Sequence, residues 1–197
     1  MKVRLPVPDD ESTGPYEHNA ELDIEKAGEL RSDAARLHHE AEHLDDQADD
    51  VQALGRADEA ARLRAQGNTI EGSADELDRR AGLLEDAAVM WREAGDDERR
   101  SAETRSRIDP AFERSFDLEQ RVESTPLTDD EITEMRIELG RADGELAALR
   151  DRTQELANEA RFDIKLAETQ EAAAGFVRPP EPPRPEPEPN PDLLPLE

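Results

Sequence analysis

Residues 27–51 read AGELRSDAARLHHEAEHLDDQADDV, and every third or fourth residue of this stretch is apolar. Alanine occupies one of the two apolar heptad positions, and a larger aliphatic residue mostly occupies the other. The apolar positions are Ala27, Leu30, Ala34, Leu37, Ala41, Leu44, Ala48 and Val51. A 3.5-residue repeat sustained over this length is typical of helices that pack along a narrow stripe. The stretch therefore predicts a long helix with a helical partner.

A second run with the same division between small and large residues extends from Ala60 to Gly95. Its small positions are Ala60, Gly67, Ala74, Ala81, Ala88 and Gly95, and its large positions are Leu63, Ile70, Leu77, Leu84 and Trp91. If the chain turns at Gly55 and the helices run antiparallel, Leu44 meets Gly67, and every large residue faces a small one. Closely spaced antiparallel helices need such complementary volumes. We therefore predict a hairpin, because one continuous helix would require a jump in heptad phase between the two runs.

The hairpin is predicted to cover residues 19–95, with its turn near Gly55. We expect the first helix to end at Leu54 and the second to begin after Asp58, a plausible N-cap, and to stop at Gly95. Trp91 lies at a large position of the second run, where a core role is expected. An additional apolar strip over residues 83–94 predicts a junction with other elements. Ile24, Phe112 and Phe116 are expected at that junction.

Residues 96–127 are expected to form a polar connector that Asp96 or Asp97 can open as a cap. Within it, Asp109 and Pro110 resemble an N-cap followed by a first-turn proline, and they predict a short helix that ends before Pro126. Phe112, Phe116 and Val122 lie on that helix.

A long C-terminal helix is predicted over residues 128–175, because Thr128 and Glu131 form a capping box at its start. Its apolar seam consists of Ile132, Met135, Leu139, Ala142, Leu146, Leu149, Thr153, Leu156 and Ala160. Asp163 interrupts the seam, so the last turns are expected to be solvated. Two arrangements stay open: the helix packs on the hairpin junction, or its seam pairs with another copy of the chain.

Both ends of the chain are expected to lack regular structure. Residues 1–18 predict a flexible leader, and residues 176–197 predict a disordered tail rich in proline and glutamate. Three leucines near the end of the tail resemble a docking peptide on a stiff spacer: Leu193, Leu194 and Leu196. The predicted fold class is thus all-α, with an elongated antiparallel hairpin, a long C-terminal helix and a proline-rich tail.

The composition is strongly acidic, with 51 Asp and Glu against 25 Lys and Arg and a net charge of −26. This charge disfavours binding to nucleic acid and to anionic lipid, whereas it permits basic protein partners. The chain contains no cysteine, which excludes disulfide and thiol chemistry. Without a signal peptide or an apolar span we expect a cytoplasmic location, and a virion or a dedicated export route remains open.

One short motif suggests metal chemistry. His39-Glu40-Ala41-Glu42-His43 matches the H-E-x-x-H pattern of zinc hydrolases. However, Ala41 belongs to the hairpin seam, so the heptad frame places His39 and His43 on the outer face of the helix. We therefore predict no catalytic residue, metal or cofactor, and keep a metal-dependent hydrolase at His39 and His43 as a minor alternative.

These observations favour a non-enzymatic interaction or assembly protein, such as a scaffold, an adaptor or a virion-type structural component. It would bind protein partners, or a second copy of itself, by helix packing and through the tail peptide. The candidate contacts are Ile132, Leu139, Leu146, Leu193, Leu194 and Leu196. The alternative function is an acidic decoy or chaperone that binds a basic protein surface. No nucleic acid, membrane or small-molecule substrate is expected.

Overall fold

The computed structural model describes residues 14–124 and 128–179, whose regular structure is entirely α-helical. The helices are α1 (Pro15–Ala53), α2 (Ala57–Ser106), α3 (Ile108–Ser124) and α4 (Asp129–Ala174). The predicted all-α fold class is confirmed. Among the described residues, no helix is both long enough and apolar enough to cross a membrane.

The antiparallel pairing of α1 and α2 follows the predicted register. The chain turns at Gly55, whose φ of 77° is a left-handed value that glycine adopts without steric cost. A Cβ atom added to Gly67 would lie 3.7 Å from the Cβ of Leu44 and 3.4 Å from the carbonyl oxygen of Ala41. Leu44 therefore faces Gly67, as the alternation of large and small residues predicts.

Most small residues of the seam are deeply buried, and so is Leu84 among the large ones. Ala34, Ala48 and Ala74 are each 0% exposed, whereas Leu44 and Ile70 are only half-buried. Alanine lets the two backbones approach closely, and the larger side chains then lie along the flanks of the contact. The hairpin is thus held mainly by close backbone approach along a line of small side chains.

The prediction that the second helix stops at Gly95 is wrong, because α2 continues without a break to Ser106. A Cβ atom on Gly95 would lie 3.2 Å from the Cβ of Tyr16, so this glycine permits a close contact with the start of α1. Asp96 and Asp97 consequently lie inside the helix and cap nothing.

Three predicted helix starts are displaced. α1 begins at Pro15, so residues 15–18 are helical and do not belong to the predicted flexible leader. Asp58 lies in the first turn of α2, after Arg56 at the N-cap position, and α3 begins at Ile108, one residue before Asp109. The break between α2 and α3 has a clear cause in Pro110, which cannot donate a backbone hydrogen bond to Ser106 and would clash with its carbonyl. α2 therefore ends at Ser106.

The long helix α4 packs antiparallel to α2 and α3, so its seam is used within the chain. Thr128 and Glu131 form the predicted capping box at its start. The prediction of solvated last turns is wrong: Ala167 is 0% exposed and shares a core cluster with Trp91 and with Ala20 of α1. α1, α2 and α4 thus meet at this junction. Beyond it, α1 pairs with α2 towards Gly55, and α4 pairs with α3 at the opposite end.

Candidate functional site

An exposed aromatic pair lies on α3. The rings of Phe112 and Phe116 stack with their centroids 6.3 Å apart and an interplanar angle of 19°. The two residues are 52% and 48% exposed, respectively. They are one helical turn apart, so both project from the same side of α3.

The side of α3 that packs on α4 explains why the two phenylalanine rings remain exposed to solvent. Ala111 is buried in a cluster with Leu146 and Leu149 of α4. Along one edge of this contact, the Arg114 Nη1 donates a 2.9 Å hydrogen bond to Glu145 Oε2. The contact with α4 is therefore filled without the phenylalanines, and the prediction that they lie at the hairpin junction is wrong.

Two acidic residues continue the exposed side of α3. Glu119 and Glu123 follow Phe112 at seven and eleven residues, the spacing of one helix face, and both are exposed. We call Phe112, Phe116, Glu119 and Glu123 the aromatic face. It combines apolar contact area with carboxylates at one end. A complementary surface would therefore carry both apolar and basic side chains.

A second notable site lies buried at the three-helix junction. We call Asp23 of α1, Trp91 of α2, Glu171 of α4 and Arg178 the buried charge cluster. Asp23 is 0% exposed and Glu171 is 6% exposed. The Arg178 Nη2 donates to Glu171 and lies 3.4 Å from each carboxylate oxygen of Asp23.

Trp91 contacts both Glu171 and Arg178 within this cluster. Its indole Nε1 donates a 2.6 Å hydrogen bond to Glu171 Oε1. The guanidinium carbon of Arg178 lies 4.8 Å from the centre of the Trp91 ring, a cation–π geometry. The cluster thus links α1, α2, α4 and the segment after α4 through one set of polar contacts.

The charges of the cluster do not balance when both carboxylates are ionised. Burial raises the pKa of Asp23 to about 7, the nearby carboxylate of Glu171 adds to the increase, and Arg178 opposes it. A proton on Asp23 leaves one anion facing one cation. The contacts of the cluster join α1, α2 and α4 to the segment that carries Arg178.

The chain direction after α4 brings Arg178 back onto the junction. Gly175 follows α4 in the left-handed conformation, and the Arg80 Nε donates to the carbonyl oxygen of Ala174. This bond satisfies one of the carbonyls that the end of a helix leaves unpaired. The end of α4 is therefore fixed to α2 just before the chain reaches Arg178.

The predicted contact residues of α4 lie along its packing side. Leu146 is buried against α3, while Ile132 and Leu139 are half-buried. The side chain of Leu146 is thus already used inside the chain. The predicted docking leucines Leu193, Leu194 and Leu196 lie outside the described residues.

The three histidines at positions 38, 39 and 43 differ in their surroundings in the hairpin. His39 and His43 are exposed on the outer face of α1, as the heptad frame predicts. The neighbouring His38 faces α2 instead, and its side chain is 32% exposed against 87% for His39. The outward pair has no cleft around it, whereas His38 lies beside carboxylates of the facing helix.

Comparison with known proteins found no family model, no curated protein and no solved structure that matches this chain.

The buried charge cluster is absent from the predictions made from the sequence. Extending the hairpin seam back from Ala27 places Asp23 at a large apolar position. A carboxylate at a buried helix position requires a partner, so this signal could have identified Asp23. Extending the seam of α4 forward reaches Gln170 and Ala174 and passes over Glu171, so the same signal does not identify Glu171. Arg178 stands 155 residues from Asp23, and no local pattern connects the two.

Proposed function

We propose that this chain is a non-enzymatic interaction protein that binds a basic amphipathic segment of a partner protein on its aromatic face. The observation that carries the proposal is the stacked, half-exposed pair Phe112 and Phe116, which α4 leaves uncovered. Aromatic residues, phenylalanine included, are enriched in the cores of protein interfaces. The remaining long apolar seams are used to hold the helices of the chain together.

Charge supports the choice of partner. The chain carries a net charge of −26, and Glu119 and Glu123 extend the aromatic face with carboxylates. A second copy of the chain would bring like charges together, whereas a basic helix would bring opposite charges. Its apolar side would cover Phe112 and Phe116, and its Lys or Arg side chains would reach the glutamates.

Binding to a defined peptide tests this proposal. The probe is a fluorescent amphipathic helical peptide with a leucine stripe flanked by lysines, and its control has glutamates in place of the lysines. We expect the basic peptide to bind, and the double variant Phe112→Ala/Phe116→Ala to weaken binding by tenfold or more. Phe162→Ala is the matched control, because Phe162 is 66% exposed on α4. It should leave the affinity unchanged.

The same experiment separates the proposal from an acidic decoy. A decoy binds through charge alone, so the double variant would bind the basic peptide as well as the original chain does. Its binding would also fall steeply with salt. That result, or equal binding of the basic and acidic peptides, would contradict a role for the aromatic face. Circular dichroism of each variant checks that the helices are intact.

A further inference from the structure

His38 is held between two carboxylates of the facing helix. Its Nδ1 lies 3.0 Å from Glu71 Oε1, and its Nε2 lies 3.2 Å from Asp78 Oδ2. Asp78 is itself positioned by Arg31, whose Nη1 lies 3.5 Å from Asp78 Oδ1. The imidazole ring therefore has a defined orientation across the α1–α2 contact.

A third carboxylate stands beside this pair. Asp75 lies one helical turn after Glu71 and one turn before Asp78, so all three acids share the side of α2 that borders His38. One ligand atom each from His38, Glu71 and Asp75 lie within 4.8 Å of one another. Zinc bonds to nitrogen and oxygen are about 2.0–2.2 Å long. A small rotation of the exposed Glu71 or Asp75 side chain therefore closes a coordination site.

We propose that His38, Glu71 and Asp75 bind a divalent first-row transition metal of the Zn²⁺ type between α1 and α2. Asp78 acts through His38: its Oδ2 accepts a hydrogen bond from the Nε2–H of the neutral imidazole, which leaves the Nδ1 lone pair for the metal. Such carboxylate–histidine–metal arrangements are the usual outer shell of zinc sites. One imidazole nitrogen with two carboxylates suits Zn²⁺, whereas Mg²⁺ and Ca²⁺ prefer oxygen ligands throughout.

This site has a structural consequence for the hairpin. At this point α1 and α2 contact each other along the narrow seam of small side chains and through the polar contacts of Arg31 and His38 with the acids of α2. A metal bound to ligands from both helices would join them, and binding to the folded state alone would raise the melting temperature. The proposal concerns a joint between two helices, so it is independent of the aromatic face.

Metal titration of the full chain tests the site. Zn²⁺ binding is measured by calorimetry, and Co²⁺ serves as a visible-absorption probe of the ligand geometry. The carboxylates of Glu71 and Asp78 raise the pKa of His38, so the titration is done at pH 8, where fewer protons compete with the metal. We expect one Zn²⁺ per chain and a zinc-dependent rise in melting temperature.

Histidine variants decide which residues bind the ion. His38→Asn should abolish the strong binding and the rise in melting temperature. His39→Asn and His43→Asn should retain both, because these side chains point outward. Asp78→Asn should weaken binding tenfold or more, as expected for a group that orients a metal-binding histidine. Circular dichroism in the presence of a chelator shows whether the His38→Asn variant still folds.

Several results would overturn the assignment. They are an absence of saturable Zn²⁺ binding, unchanged binding in His38→Asn, and loss of binding in His39→Asn or His43→Asn. The last of these would assign the ion to the exposed H-E-x-x-H pair. If His38→Asn does not fold, Asp75→Asn tests the same site, because the ion pairs of His38 are made with Glu71 and Asp78 and do not involve Asp75. Unchanged Zn²⁺ binding in Asp75→Asn would then overturn the assignment.

Discussion

Trp91 of α2 donates its indole Nε1–H to the Oε1 of Glu171 on α4 across 2.6 Å, inside the three-helix junction. The two residues are 80 positions apart, so the bond exists only when the long helix has folded back onto the hairpin. Trp91 is also the single tryptophan of the chain. The fluorescence of Trp91 therefore reports the docking of α4 without a signal from a second tryptophan.

Removing the cation of the buried charge cluster should destabilise this junction. In Arg178→Met, Glu171 and Asp23 lose their positive partner while a side chain of similar length remains. Breaking a buried ion pair from one side costs about 3–5 kcal/mol. We expect the lower end of that range, because the Arg178 side chain is 21% exposed. Urea unfolding followed by Trp91 emission measures the loss.

A neutral version of the cluster serves as the control for this prediction. The triple variant Asp23→Asn/Glu171→Gln/Arg178→Met removes all three charges, so it should recover much of the stability that Arg178→Met loses. Unfolding of Arg178→Met at the same urea concentration as the original chain would show that Arg178 does not lie in the junction.

The buried Asp23 carboxyl predicts a specific dependence of stability on pH. Its pKa rises from 3.8 in the unfolded chain to about 7 in the folded one. Between these values only the folded state holds the proton, so this contribution to stability is complete below pH 4. It is lost as the pH rises towards and through 7. In Asp23→Asn the side chain is neutral at every pH, and this contribution disappears.

The measurement compares the two chains at pH 5.5 and at pH 8. We expect the free energy of unfolding of Asp23→Asn, relative to the original chain, to increase by about 1–2 kcal/mol between these pH values. Glu71 and Asp78 raise the pKa of His38 in both chains, so any contribution of His38 cancels in the comparison. Asp46→Asn, a change at an exposed position of α1, should show no such increase. A constant difference for Asp23→Asn would contradict a raised pKa.

The register of the hairpin predicts opposite effects at two glycines of α2. Gly67→Leu places a large side chain against Leu44 and the carbonyl of Ala41, and overpacking of this kind costs about 1–3 kcal/mol. A Cβ atom added to Gly72 meets no neighbouring atom of another helix within 4 Å. Gly72→Leu should therefore stabilise the helix by somewhat less than about 1 kcal/mol. Thermal unfolding of both variants checks the contrast.

A stabilising effect of Gly67→Leu equal to that of Gly72→Leu would refute the proposed pairing. The two substitutions make the same change of residue type in the same helix, so helix propensity contributes equally to both. Only the facing residues of α1 distinguish them.

The hairpin could be predicted from the sequence because the sizes of its seam residues carry information about the partner. A leucine at position 44 and a glycine at position 67 identify one register among several. The end of α2 could not be predicted in this way. In the sequence, Gly95 fits a helix end and a small seam residue equally well. Only its close contact with Tyr16 in the folded chain distinguishes the two roles.

The candidate sites were less predictable for a related reason. The spacing of Phe112 and Phe116 is visible in the sequence, but which side of α3 faces solvent depends on where α4 lies. In the same way, the sequence places His38, His39 and His43 together, and only the facing acids on α2 single out His38. Both sites depend on contacts between distant segments, which local patterns do not contain.

The most direct test of the proposed function is photo-crosslinking in the cells that make this protein. A photoreactive phenylalanine analogue replaces Phe116 in one variant and Phe162 in another, since both side chains are exposed. Binding on the aromatic face predicts a crosslink to a basic protein from position 116 and none to that protein from position 162. Crosslinks of equal yield from both positions, or no crosslink from position 116, would contradict it.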